Sequence, residues 1–98
     1  MNFNGWKQLA EEGKAEAQYN LALMYSLGKE IPKNDSEAIK WYLRAAEQGF
    51  AEAQTNLGLM YGKGQGVEQN FNEAVKWYRL AAEQGLAQAQ HNLGVMYG

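Results

Sequence analysis

The sequence predicts an all-α fold: an α-α superhelix, or solenoid, of antiparallel helix pairs with a 36-residue repeat. Three observations lead there. Residues 15–50 and 51–86 superpose without a gap at a shift of 36 and agree at 21 of 36 positions. Within each copy the apolar residues fall at helical spacing rather than in alternation. Glycine and asparagine recur at fixed points between the apolar runs, where helices stop and start. A period of this length marks a stacked array, because one helix pair cannot bury its apolar face alone. The units are residues 1–14, a partial repeat that caps the stack; 15–50, repeat 1; 51–86, repeat 2; and 87–98, the first helix of a truncated repeat 3.

The opening stretch FNGWKQLAEE reads as a short helix over 3–12. Shifted by 36, Phe3 falls on Ile39, Trp6 on Tyr42 and Leu9 on Ala45, so it resembles the second helix of the repeat. Each repeat then begins with a helix A, Ala15 to Leu27 in the first copy. Ala17, Leu21, Met24 and Tyr25 lie at i, i+4, i+7 and i+8, one stripe of a 3.6-residue period. Ala22, Gly58 and Gly94 share a position in its interior. A small residue there, where glycine costs about 1 kcal/mol against alanine, implies the close approach of another helix.

The loop SLGKEIPKN aligns with GKGQGVEQN. Gly28 and Gly64 mark the end of helix A, and Ile31 and Val67 share an apolar position expected to tuck beneath the helix pair. Pro32, the one proline, falls here, where it breaks no helix. Helix B follows, over 35–48 and 71–84. Asn34 with Glu37, and Asn70 with Glu73, have the spacing of a capping box. The apolar set Ala38, Ile39, Trp41, Tyr42, Ala45 and Ala46 covers more than half of the helix circumference, as a helix with two neighbours requires. Gly49 and Gly85 close helix B. The next helix starts so soon after them that it must run antiparallel.

Composition narrows the function. The 98 residues are 46% hydrophobic and 20% charged, which suits a folded chain. Net charge is −2, the pI is about 5.3 and the basic residues are scattered, which argues against nucleic acid and a polybasic membrane anchor. No 18-residue apolar run exists, so no membrane insertion is expected. There is no cysteine, hence no disulfide framework and no thiolate chemistry. MNFNGWKQLA lacks the basic and apolar regions of a signal peptide. The sequence fixes no compartment, because a secreted or periplasmic parent could contain the same segment.

The motif AEAQxNLGxMY, followed by GxG-V and EAVKWYxxAAEQG, resembles the Sel-one-like repeat family, a relative of the tetratricopeptide repeat with a longer interhelical loop. The resemblance covers about 85 residues, in two full copies and one partial copy. It implies a right-handed superhelix with helices A on the concave face and helices B on the convex one. It also implies a scaffold or adaptor for protein complexes, with bacterial members associated with host interaction, envelope signalling and immunity against effectors. Some cysteine-rich members are linked to β-lactam-like or cell-wall compounds through paired cysteines. This chain has none, so that property is not carried over.

No catalytic constellation is visible, and the chain is not expected to be an enzyme or to need a cofactor. His91 is the only histidine and has no second His or Cys to share a metal. Ser26 and Ser36 are the only serines, one at a helix end and one beside a cap. Gly62, Gly64 and Gly66 mimic a phosphate loop, but they follow a helix and lack the Gly-Lys-Ser/Thr ending.

The expected binding surface is therefore the concave face of helices A. Tyr19, Thr55 and His91 differ between copies at one position, two residues past the core alanine. Leu23, Leu59 and Val95 continue that strip, and Glu16, Glu52 and Gln88 give it an acidic rim. Asn20, Asn56 and Asn92 recur mid-helix, either as structural hydrogen-bonders or as a ladder gripping a peptide backbone. The expected partner is a protein or peptide; the alternative is a small ligand or cell-wall fragment, or an immunity role against an effector. Leu93, Met96 and Tyr97 would meet no following helix B, and the first helix has no helix A before it. Either the segment belongs to a longer array, or the ends meet head-to-tail between molecules.

Overall fold

The structure is a computed structural model that describes residues 1–97; of the last helix, the side chains of Met96 and Tyr97 lie outside the described residues, as does Gly98. Six α-helices follow one another: α1 (Phe3–Glu11), α2 (Ala15–Leu27), α3 (Asp35–Glu47), α4 (Ala51–Lys63), α5 (Phe71–Glu83) and α6 (Ala87–Tyr97). Helices α2, α4 and α6 are the helices A; α1, α3 and α5 are the helices B. No strand occurs among the described residues. Each helix packs on its sequence neighbours, α2 between α1 and α3, and α4 between α3 and α5. The stack measures 41 × 24 × 17 Å.

The short links have one chemistry. Helix α3 ends at the cap Gln48; Gly49 follows with φ 89°, in the left-handed region. Gly49 N–H donates to Ala46 and Phe50 N–H to Ala45, the paired bonds of a Schellman motif. Phe50 is at once the N-cap of α4, its own carbonyl accepting from Gln54 N–H. One residue thus ends one helix and starts the next. The same bonds recur at Gly13–Lys14 and Gly85–Leu86.

The helix-B starts follow half of the expected capping box. Asn34 Oδ1 accepts from Glu37 N–H at 3.1 Å, and Asn70 from Glu73 at 3.1 Å. In the other half of the box a glutamate would reach back to the asparagine N–H. Here that N–H donates instead to a carbonyl of the preceding helix A, Asn34 to Tyr25 and Asn70 to Tyr61, each at 2.9 Å. The cap therefore pins the two helices of a pair together as well as starting the second.

Helices A are buried more widely than one stripe. Ala17, Leu21 and Met24 are buried as expected, and so are Ala22 and Gln18 on other sides of α2. The cause is the sandwich: helix A meets its own helix B and the preceding one. Full burial of a side chain such as Leu21, Leu57 or Tyr42 contributes about 1.5–3 kcal/mol. Gly58 fits the close-approach reading, since a Cβ there would lie 2.8 Å from the Tyr78 ring. At Gly94 nothing stands within 4 Å, because no helix B covers that side of α6 among the described residues.

A pair of buried glutamines joins each unit to the next. Gln18 and Gln54 are each 4% exposed. Gln18 Nε2 donates to Ala10 O at 3.1 Å, and Gln18 Oε1 accepts from Gln48 Nε2 at 2.8 Å. Gln48 Nε2 also donates to Gly13 O at 2.9 Å. One repeat further on, Gln54 donates to Ala46 O at 3.1 Å, while Gln84 donates to Gln54 Oε1 at 3.0 Å and Gly49 O at 2.9 Å. The last helical carbonyls of each helix B, which have no partner within their own helix, are thereby tied to the next pair.

The A–B loops also touch. Gln65 Nε2 donates to Asp35 Oδ1 at 3.4 Å, and Lys33 pairs with the same oxygen at 2.9 Å. Gly66 has φ 74°, and a Cβ on it would lie 2.7 Å from Asp35 Cβ and 2.8 Å from its carbonyl. The equivalent Glu30 takes φ 69°, a conformation that costs an L-residue about 1–2 kcal/mol.

Gly66→Ala lowers stability by about 1–3 kcal/mol, since the backbone it meets cannot yield cheaply, whereas Glu30→Gly stabilises by up to about 1 kcal/mol; urea unfolding of both variants measures the opposite signs. Gln54→Leu costs about 0.5–1.5 kcal/mol by removing its hydrogen bonds, since Ala46 O keeps Gly49 N–H and Gln84 Nε2 keeps Gly49 O. A double-mutant cycle of Gln54→Ala with Gln84→Ala gives a coupling of about 0.5–3 kcal/mol.

Candidate functional site

The twelve sequence-predicted surface residues divide into three groups. Glu16, Glu52 and Gln88 are exposed in the first turns of α2, α4 and α6. The position of Tyr19, Thr55 and His91 is not a surface strip in the first two copies. Two residues along a helix are about 200° around it. That turn takes the position off the stripe of Ala17, and in repeat 1 it brings Tyr19 against helix B and the link that follows it. Tyr19 is half-buried, its ring 5.1 Å from Phe50 and 6.0 Å from Tyr42. Thr55 is 3% exposed, and its Oγ1 donates to Ala51 O. Thr55 therefore offers no surface to a partner, contrary to expectation. His91 is exposed.

The third group sits at the loop end of the helices A. Leu23 and Asn20 are half-buried, Leu59 is 37% exposed and Val95 66%. Leu23, Asn56 and Leu59 line an open cavity of about 210 Å³ together with Ser26, Leu27, Tyr42, Met60 and Gln65. Asn20 and Leu23 line its neighbour of about 170 Å³, beside Trp6, Leu27 and Glu30. The shared Leu23 and Leu27 make the two cavities one groove. Leu27, 69% exposed, was invisible to a copy-by-copy comparison because Lys63 replaces it in repeat 2.

The floor of this groove is a fixed polar network. Ser26 Oγ donates its single proton to Leu23 O at 3.1 Å, so the Tyr42 hydroxyl 3.3 Å away is the donor to Ser26. Asn56 Nδ2 donates to the same Tyr42 hydroxyl at 3.3 Å. Asn56 thus links helix A of repeat 2 to helix B of repeat 1. Asn20 finds Trp6 at the equivalent place, with no hydroxyl, and its Nδ2 bonds Glu16 O within its own helix at 2.9 Å. Asn92 is half-buried on α6.

Electrostatically the site is quiet. Burial raises the pKa of Tyr42, while its hydrogen bonds with Ser26 and Asn56 act the other way. Burial also raises the tyrosines Tyr19, Tyr25, Tyr61 and Tyr78. Among the described residues no group of His, Cys, Asp and Glu could hold a metal, and no helix is long and apolar enough to cross a membrane.

The Sel1 repeat family model matches residues 15–50, 51–86 and 87–98. The chain belongs to the Sel1 repeat family. Its fold superposes on solved members over most of its length. One is c5321, a protective antigen of uropathogenic Escherichia coli strains displaying an SLR fold: 49% identity over 99% of this chain, TM-score 0.95. Another is a Sel1 repeat protein from Oxalobacter formigenes, 49% identical over 87% of this chain, TM-score 0.84. A third is Helicobacter pylori cysteine rich protein B, 25% identical over 93%, TM-score 0.88. This Sel1-repeat chain spans 21%, 35% and 68% of those three chains. The comparison with curated proteins found no match. Proteins of the Sel1 repeat family are generally protein-interaction scaffolds and generally not enzymes.

The raised tyrosine pKa values set a pH dependence. The folded chain holds its phenol protons to higher pH than the unfolded chain does. This contribution to stability is complete below the unfolded tyrosine pKa of about 10 and is lost as pH rises through the folded values. The melting temperature should therefore be insensitive to tyrosine titration at neutral pH and fall above about pH 10. Tyr42→Phe should flatten that alkaline fall while costing about 0.5–1.5 kcal/mol at neutral pH; thermal melts from neutral to alkaline pH measure both.

Proposed function

We propose that this Sel1-repeat chain holds a segment of a protein partner along the loop end of its helices A. The carrying observation is the groove centred on Leu23 and Leu27. Exposed apolar side chains flank a polar floor whose hydroxyls and amide are already held in place. Such a surface takes apolar side chains of a partner at low ordering cost, because its own groups do not move. The exposed Glu16, Glu52 and Gln88 lie farther along the same helices and would meet the partner outside the groove.

Shape favours a peptide over a small ligand. The groove is open along one side and divided into two lobes of about 170 and 210 Å³, each of which suits a single side chain, whereas small-molecule sites enclose most of the ligand's surface. An immunity role against an effector would be one instance of the same protein binding.

Leu27→Asp combined with Leu59→Asp tests the reading. Both residues are exposed, so the melting temperature should stay within about 2 °C, as for other surface substitutions. A photo-crosslinker at position 23 or 56 should join the parent chain to a defined protein in an extract of the source organism. The double variant should lose that adduct. Retention of the adduct at full yield would overturn the groove, and a large drop in melting temperature would assign the leucines to packing. Light scattering across a concentration series separates such a partner from self-association through the uncovered side of α6.

A further inference from the structure

The helix-B side carries a second groove, and here the two copies of the repeat differ. In α3, Lys40 Nζ lies 5.2 Å from the Trp41 ring centroid and the Arg44 guanidinium 4.7 Å from it. Two cations cover that indole. In α5 two residues are exchanged: Leu43-Arg44 becomes Arg79-Leu80. Leu80, 38% exposed, stands at the position of Arg44, and Lys76 lies 4.8 Å from the Trp77 ring. Beside it opens a cavity of about 570 Å³, walled by Leu43 and Ala46 of α3, Tyr61 of α4, and Trp77 and Leu80 of α5. Its charged lining residues are Glu47, Glu73 and Lys76.

Trp77 lines this cavity and is 6% exposed, and its indole nitrogen, which meets no acceptor among the described residues, is shielded from the groove. What the ring offers an occupant is therefore apolar contact.

We propose that this groove docks a second protein segment, one that places an aliphatic side chain beside a lysine or arginine. The aliphatic group packs between Leu43 and Leu80 over Trp77. The cation meets Glu47 and Glu73, which line the same groove. Charge selects the sign: two carboxylates line the groove against one ammonium, and that ammonium already faces the ring of Trp77. An acidic segment would bring like charges together. The surface is separate from the groove on helices A, so the chain can join two partners across its thickness.

The indole N–H signals of Trp6, Trp41 and Trp77 give a direct test. In the ¹⁵N-labelled chain, assigned by single Trp→Phe variants, acetyl-Lys-Leu-Lys-amide should shift the Trp77 indole signal saturably and leave those of Trp6 and Trp41 in place. Acetyl-Glu-Leu-Glu-amide should not. Leu80→Arg restores the residue of the first copy at an exposed site and should weaken the titration roughly tenfold or more. Glu47→Lys should weaken it without moving the peptide-free Trp41 signal. The proposal fails if the basic peptide leaves Trp77 unmoved up to its solubility limit, if the acidic peptide shifts Trp77 as strongly, or if Leu80→Arg retains the full response.

Discussion

Two glutamine amides at each junction hold the stack in register. A helix pair of 36 residues buries one side against itself and leaves another side open, so the array depends on how one pair meets the next. Apolar contact alone is tolerant of sliding. The amides are not: Gln18 and Gln54 each reach back to a helix-terminal carbonyl and at the same time accept from the cap residue of the following helix B. Because these amides are buried, a shift of either helix would strand donors and acceptors at about 1–3 kcal/mol each. The groove floor depends on the same register, since Asn56 must arrive within bonding distance of the Tyr42 hydroxyl from a different repeat.

Much of this fold is written in the sequence. The period gave the helix pairs, and the asparagines and glycines at fixed offsets placed the helix ends to within a residue. The shared small position at Ala22 and Gly58 correctly announced a close contact. What escaped the reading was the second buried side of helix A. A stripe at i, i+4, i+7 is sought on one face, whereas α2 and α4 are covered on two. Thr55 and Tyr19 lie on the second face, which a single stripe does not reveal. The buried glutamines escaped for a related reason, since glutamine is ordinarily an exposed residue. The recurrence of Gln18 as Gln54, and of their exposed partner Gln48 as Gln84, was the available signal.

The candidate binding surface was only partly legible, because recurrence and function pull in opposite directions. A residue repeated in each copy most often serves stacking, as Asn56 does through Tyr42. A residue that interrupts the pattern most often faces outward. Leu27, opposite Lys63, and Leu80, opposite Arg44, are both of this second kind, and both line grooves. Neither has a partner in the other copy with which to advertise itself. Only their places in three dimensions, one beside Leu23 and one beside Trp77, show what they could do.

The junction at Gln48, Gly49 and Phe50 bears on how such chains change length. Phe50 completes the end of α3 and opens α4, and Leu86 does the same one unit later. The bonds on either side of the two residues are the same. A duplication or deletion of 36 residues cut at this point would therefore leave no unpaired amide and no altered linker. Copy number can drift by recombination between units while each new boundary is already built. The grooves, which depend on the irregular residues, would then be gained or lost as whole units, and the number of partners would follow the number of copies.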